Sequence, residues 1–335
     1  MNSVAAVVIG RNEGNRLKKC LLSVLGKVKT VIYVDSGSND GSVELAADLG
    51  ANVVELDLSI PFTAARAAVN GGFEYLQQIE PSVKFVQFVD GDCLIVEGWL
   101  EQAAKVLNEQ PEVVVVCGRR REEFPHKSVY NRLCDIEWDT PVGKTKSCGG
   151  DAMMQVTALK QVGGFNPTLI AGEEPELCVR LRQAGGKIMR IDADMTLHDA
   201  QIMHFKQWWK RSVRNGHAYA EGAWLHGKPP EKHWVKESRR IWVWGLIFPL
   251  MTVIASCFFG KISIIFLIAA YSILFSRVYK YAKKREISDS DALFYGLFCV
   301  LDKFPQLIGQ FQFHLSRLSG KKSTIVEYKG VAVHS

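Results

Sequence analysis

The first 117 residues alternate between short Val-rich runs and stretches with helical spacing. Apolar runs at 4–9, 31–35, 53–56, 85–89 and 113–117 are bounded by Gly, Ser, Asn and Asp, which predicts buried strands. Between them, Leu17, Leu21, Leu22 and Leu25 recur at helical spacing, Ser42 is placed to cap a helix through Leu49, and a third helix is predicted over 64–79. Regular strand–helix alternation predicts a parallel sheet with right-handed crossovers. Residues 119–147 are more polar and read as an irregular loop that shapes a site. Helices are predicted again at 156–162 and 175–183, and a strand at 187–191.

The pattern changes after Arg240. Residues 241–259 are all apolar or small, 262–275 nearly so, and only Gly260-Lys261 separates them. This length predicts two short membrane spans or a hairpin dipping into the bilayer, against the alternative of a buried soluble helix pair. Arg239 and Arg240 precede the run, and Arg277, Lys280, Lys283, Lys284 and Arg285 follow it, so both flanks are expected to face the cytoplasm. The next apolar stretch, 292–313, contains Asp302, Lys303 and Pro305 and reads as an interfacial or partly buried helix.

Charge and cysteine content narrow the setting. The 335-residue chain carries a net charge of +6, with much of the excess beside apolar segments, which favours an anionic membrane surface over nucleic acid. The eight cysteines form no CxxC pair and several lie in apolar runs, as expected of reduced thiols in the cytosol. The N-terminal apolar run is short and has no basic region before it, unlike a signal peptide.

The most informative chemistry is Asp90-Gly91-Asp92, directly after the 85–89 strand. Open α/β sheets bind ligands at that edge. Two carboxylates there suit a hard divalent cation bridging to substrate phosphates, although Asp-Gly-Asp is equally good turn chemistry. No GxGxxG follows the first strand, so a dinucleotide fingerprint is excluded.

Four motifs in order carry a resemblance: Gly10-Arg11-Asn12-Glu13-Gly14, Asp35-Ser36-Gly37-Ser38-Asn39-Asp40-Gly41, Asp90-Gly91-Asp92, and Gly172-Glu173-Glu174-Pro175. Together they resemble the family 2 glycosyltransferases of the GT-A fold over about residues 4–215. The resemblance implies an α/β fold with a mostly parallel sheet flanked by helices, followed here by the C-terminal helical membrane-associated segment. It also implies a nucleotide-sugar donor and Mg²⁺ or Mn²⁺ as cofactor. By the same resemblance Asp35 binds the base, and Arg11 and Glu13 line the nucleotide pocket. Arg66 and Asn70, four apart on one predicted helix face, touch the nucleotide or form a solvated face. Asp92 is the first choice for metal ligand, Asp90 holds the ribose or a metal-bound water, and His198 completes the metal site or is structural.

Glu173 and Glu174 open a predicted helix, where carboxylates are also favoured by the helix dipole. The resemblance makes Glu174 the general base and Glu173 its neighbour. Gly149-Gly150-Asp151-Ala152 resembles the loop beneath donor sugar and acceptor, with Asp151 on sugar hydroxyls. Gln207-Trp208-Trp209-Lys210-Arg211 resembles the Gln-x-x-Arg-Trp element of processive synthases, but no Trp follows Arg211, which speaks against a polymerase. Trp208 and Trp209 are then expected on sugar faces or at the membrane surface.

The expectation is a catalytic domain over residues 1–225 and a membrane-associated helical region over 226–335. It is an inverting transferase at a bacterial inner membrane, catalytic domain in the cytoplasm, with a lipid-linked saccharide as acceptor and exopolysaccharide or envelope assembly as its setting. Two alternatives are a sugar-nucleotide pyrophosphorylase, which Arg11-Asn12-Glu13-Gly14 matches poorly, and a non-catalytic membrane scaffold.

Overall fold

The computed structural model describes residues 1–59, 63, 64 and 67–320. They divide into two compact units, Met1–Phe124 with Glu137–Gln201, and Pro125–Ile136 with residues 202–320.

The first unit is built on one nine-stranded sheet. Its first half is the alternation expected from sequence: β1 (Val4–Gly10), α1 (Asn15–Val24), β2 (Thr30–Asp35), α2 (Ser42–Asp48), β3 (Asn52–Glu55), then a π-helical turn (Ala67–Phe73) running into α3 (Glu74–Ile79), and β4 (Phe85–Asp90). The sheet continues through β5 (Cys93–Ile95), α4 (Trp99–Glu109), β6 (Val113–Glu122), α5 (Val129–Trp138, whose last two residues belong to this unit), β7 (Gly143–Lys144), β8 (Ala152–Gln155), α6 (Val156–Val162), α7 (Glu173–Gln183) and β9 (Lys187–His198). The spatial order is β3-β2-β1-β4-β8-β6-β9-β5, with β7 paired to β9.

β1 to β4 pair in parallel, and so do β6 and β9. β8 runs antiparallel between β4 and β6, and β5 and β7 run antiparallel to β9. The sheet is therefore mixed, and its reversed strands matter for the site.

Several local expectations are corrected. Residues 119–147 are not one loop: the first four finish β6, and a helix and a short strand follow. β6 and β9 both extend past their apolar runs into charged sequence. Ser42 does not cap α2. Gly41 holds the cap position in left-handed geometry, and the Ser42 hydroxyl donates to Asp40 Oδ1 at 2.6 Å. The single helix expected over 64–79 begins as a π-helical turn laid flat on the sheet: a Cβ on Gly72 would stand 2.2 Å from Val7 Cγ1, and one on Gly71 2.4 Å from Val34 Cγ1. Only glycine permits that approach.

The second unit is helical. It contains the bulk of α5, α8 (Phe205–His226), α9 (Val235–Trp242) continuing through a π-turn (Val243–Ile247) into α10 (Phe248–Phe259), α11 (Ile262–Lys284), α12 (Asp289–Leu301) and α13 (Lys303–Leu318). Among the described residues, three helical stretches are long and apolar enough to cross a membrane: Val235–Phe259, Ile262–Lys284 and Asp289–Leu318. At ~1.5 Å per residue each exceeds the ~30 Å of a hydrocarbon core. The first two expose their apolar side chains, among them Phe258, Phe259, Ile265 and Phe266. The third is partly buried, because Gly309 lets α13 approach the backbone of α8 at Val213 and His217.

Candidate active site

The topology gathers the acidic motifs at one edge of the sheet. Register places Gly10 beside Asp35 and Ile9 beside Asp90, so β1, β2 and β4 end together. β8 is antiparallel and aligns Ala152 with Phe88, which brings the preceding Asp151 to the end of β4. β6 and β9 end together at Glu122 and His198, and antiparallel β5 starts there with Cys93 opposite His198, so Asp92 lies beside them.

At the tip of β2, Asp35 is buried and fully engaged by its own turn. Oδ1 accepts from the Tyr33 hydroxyl at 2.8 Å and the Ser38 hydroxyl at 2.5 Å, and Oδ2 accepts from the amides of Gly37 (2.8 Å) and Ser38 (2.7 Å). Burial and the adjacent carboxylate push the Tyr33 phenol well up, so it stays a hydrogen-bond donor. The β1 and β2 tips are laced together, since Asn12 N donates to Ser38 Oγ and Asn39 N to Asn12 Oδ1, each at 2.8 Å. Arg11 is exposed at this tip, and Glu13 pairs with Arg16 at 2.7 Å. Arg66 lies outside the described residues, as does the side chain of Asn70.

Asp151 departs from its expected role on sugar hydroxyls. It is 1% exposed, and both oxygens are taken. Oδ1 meets Arg120 Nη2 at 2.7 Å and accepts from the Asp90 amide at 3.1 Å; Oδ2 accepts from Arg120 Nε at 3.0 Å and the Thr196 hydroxyl at 2.7 Å. Arg120 Nη2 also reaches Asp90 Oδ2 at 3.3 Å. A buried Arg–carboxylate pair thus fixes the half-exposed Asp90. Gly150 makes room for it: a Cβ there would lie 2.7 Å from Arg120 Nη2, at a φ of +117°.

Asp92 and His198 form a second buried group. Asp92 is 4% exposed, and its Oδ2 lies 3.1 Å from His198 Nε2. Burial, with Arg120 nearby, pulls the imidazole down to about 4, so it is neutral at ordinary pH. His198 Nδ1 is buried with no hydrogen-bond partner among the described residues. The Trp138 ring lies over His198 at 4.8 Å between centroids, and Glu122, pushed up to about 7 by burial, accepts from the amides of Phe124 and Ala200 at 3.1 Å each. Cis ligands on an octahedral cation with ~2.1 Å bonds stand ~3.0 Å apart. The Asp92–His198 spacing and a neutral imidazole, with the Cys93 thiol as a third donor within 4.8 Å, therefore fit a divalent metal.

The two glutamates separate sharply. Glu174 is 3% exposed; its Oε1 accepts from the Cys148 amide (2.7 Å) and the Cys178 thiol (2.8 Å), and its Oε2 from the Gly149 amide (2.9 Å). It anchors the loop that delivers Asp151 two residues later. Trans-linked Cα atoms are ~3.8 Å apart, so that anchor and the Asp90 end of the edge belong to one connected region. Glu173, at the start of α7, is half-buried and has no hydrogen bond or ion pair among the described residues.

Trp208 and Trp209 lie in the helical unit. Trp208 is 3% exposed, enclosed by Phe205, Trp209 and Phe298, and offers no ring face to a sugar; Trp209 is half-buried in the same cluster. Sequence reasoning missed Arg120, Trp138 and Thr196. The one available signal was alternation in Arg119-Arg120-Arg121, where a strand buries only the middle residue.

Comparison with known proteins agrees with this architecture. "Pre-mycofactocin glycosyltransferase" of Mycobacterium tuberculosis is 27% identical over 234 residues, covering 67% of this chain and 48% of that protein. "Glycosyltransferase AglE" of Haloferax volcanii is 24% identical over 194 residues, covering 54% and 62%. The chain thus spans about half to three fifths of the length of these relatives. Among solved structures, the mannosyltransferase PcManGT of Pyrobaculum calidifontis, in complex with GDP-Man and Mn²⁺, aligns with a TM-score of 0.59 at 17% identity over 90% of this chain and 88% of that one. Glucosyl-3-phosphoglycerate synthase of M. tuberculosis, in complex with Mn²⁺, UDP-Glc and phosphoglyceric acid, aligns at 0.50 with 16% identity over 68% and 80%. The mixed α/β sheet unit has the GT-A-like fold, and residues 5–145 match the family model described as Glycosyl transferase family 2.

Proposed function

We propose that this chain is a membrane-associated, inverting glycosyltransferase that moves a sugar from a nucleotide-diphosphate donor to an acceptor hydroxyl. The observation that carries the reading is the Asp92–His198 pair beside the Arg120-braced Asp90 on the ligand-binding edge of a GT-A-like sheet. Asp92 and His198 would hold Mg²⁺ or Mn²⁺, with Asp90 on a metal-bound water or the ribose. The metal would supply Lewis-acid neutralisation of the departing diphosphate.

The remaining steps belong to the chain's own groups. Asp35 shapes the nucleotide-facing turn, and Arg11 and Glu13 flank it at the β1 tip. Glu173 serves as the general base, because its carboxylate is unengaged whereas Glu174 is committed to the 148–149 amides. It takes the acceptor hydroxyl proton as that oxygen attacks the anomeric carbon, and one in-line displacement inverts the centre. Trp138, half-buried over His198, offers the aromatic surface first sought in Trp208 and Trp209.

The three span-length helices support an acceptor that resides in the membrane, hence a lipid-linked saccharide in envelope or exopolysaccharide assembly. Basic residues at the N-terminal end of the first and the C-terminal end of the second support a cytoplasmic catalytic unit at a bacterial inner membrane. The test is transfer of isotope-labelled sugar from a donor panel to lipid-linked acceptors by the full chain in detergent. Metal-dependent transfer that D92A abolishes is the expected result; no transfer from any nucleotide-sugar, or full activity in D92A, would refute the reading.

A further inference from the structure

Behind the Glu174 anchor lies a cluster of thiols that the proposed chemistry does not use. Cys148 Sγ and Cys178 Sγ are 3.7 Å apart, and Cys178 Sγ is 2.8 Å from Glu174 Oε1. The donor atoms of Cys148, Glu174 and Cys178 all lie within 4.8 Å of one another. Cys117, buried on β6, neighbours Cys148 and helps push its thiol up. Three elements distant in sequence thus converge on one sulfur-rich point: strand β6, the 148–151 loop and the first turns of α7.

We infer that Cys148, Cys178 and Glu174 form a binding site for a thiophilic divalent cation of the zinc class, distinct from the Asp92–His198 site. Two sulfurs bound tetrahedrally at ~2.3 Å stand ~3.8 Å apart, which is the spacing already present, so the thiols need no backbone movement to ligate. Thiolates select soft cations, and this cluster offers two thiols and a carboxylate where the Asp92–His198 group offers one thiol, Cys93, with a carboxylate and an imidazole, so the two sites differ in donor set. Binding releases the two thiol protons to solvent and leaves both sulfurs as thiolates; no electron is transferred.

The site has a mechanical consequence. Glu174 Oε1 on the cation is withdrawn from the Cys148 amide, which loosens the loop that carries Asp151 and, through it, Arg120 and Asp90. Occupancy therefore opposes turnover. That effect rests on the transferase reading; the binding does not.

The experiment titrates cadmium chloride into the full-length, reduced chain in detergent, with Cys257 and Cys299 replaced by Ser. It follows the ultraviolet thiolate-to-cadmium charge-transfer band. A band saturating at one equivalent is expected. It is lost in C148S and in C178S, retained in D92A, and weakened by ~10-fold or more in affinity in E174Q. Thermal transitions of the apo variants check folding, and C148A at the half-buried position serves as a second variant. No band in the parent, or one unchanged in the C148S/C178S double variant, overturns the site. In a separate arm, zinc should inhibit sugar transfer by the parent and spare C148S. Loss of the transferase reading would leave the cadmium band intact, so the two failures are distinguishable.

Discussion

The Asp151 and Glu174 anchors of the sheet unit and the Glu221–His217 pair of the helical unit bury ionisable groups by opposite means. At the sheet edge, Asp151 and Glu174 are almost wholly enclosed, yet each is saturated by a guanidinium, amides, a hydroxyl or a thiol. In the helical unit, Glu221 and His217 face each other at 3.5 Å on α8, and burial moves both toward their neutral forms, Glu221 up to about 7 and His217 down to about 4. Buried carboxylates are saturated with hydrogen-bond donors where they orient other groups, and burial favours the neutral forms where the surroundings are apolar. At the sheet edge, Asp90 and Glu173 are half-buried, whereas Asp92 is enclosed and faces His198.

The comparison is broken most severely at Glu173. E173Q is expected to lower kcat by ~10²–10⁴-fold with an unchanged thermal transition, as for loss of a general base. E174Q should instead lower the thermal transition and raise KM along with its loss of turnover, because it loosens the 148–149 loop. If E174Q leaves the transition unmoved while E173Q retains full turnover, the roles are reversed. Next in size is R120M, which leaves Asp151 buried without its counter-charge and should cost about 3–5 kcal/mol in unfolding free energy. A neutral effect in chemical denaturation would show that the Arg120–Asp151 pair braces nothing.

The smallest effect lies in the helical unit. Burial pushes the Glu221 carboxyl up to about 7 in the folded state, above its unfolded value, so the folded state binds the extra proton. Its stabilising contribution is present below the unfolded pKa and is lost as pH rises through the folded one. E221Q should therefore match the parent at about pH 4 and exceed it by roughly 1–3 kcal/mol at about pH 8 in detergent-solubilised unfolding. A parallel pH profile for the two proteins would mean that Glu221 is ionised throughout.

The parallel half of the fold was legible because its strands are buried on both faces and read as unbroken Val-rich runs. The antiparallel half was not. β5 and β7 are very short, and β6 and β9 carry Arg and Asp residues that become strand only when paired across distant sequence. Asp90, Asp92 and His198 were readable because each closes an apolar run at a sheet edge. The partners of Asp151 were not readable, since Arg120 lies 31 positions away and Thr196 45. Glu174 was legible as an acid at a helix start, but its commitment to two amides depends on a loop that the helix start does not reveal. Trp208 shows the converse error: aromatic sequence at an apparent surface turned out to be helical core.

Calorimetric titration of a panel of nucleoside diphosphates, with and without Mn²⁺, into the parent chain and D92A tests the sheet-edge metal site most directly. Binding that requires Mn²⁺ and disappears in D92A is predicted. Binding of equal strength without the metal, or equal strength in D92A, would contradict it.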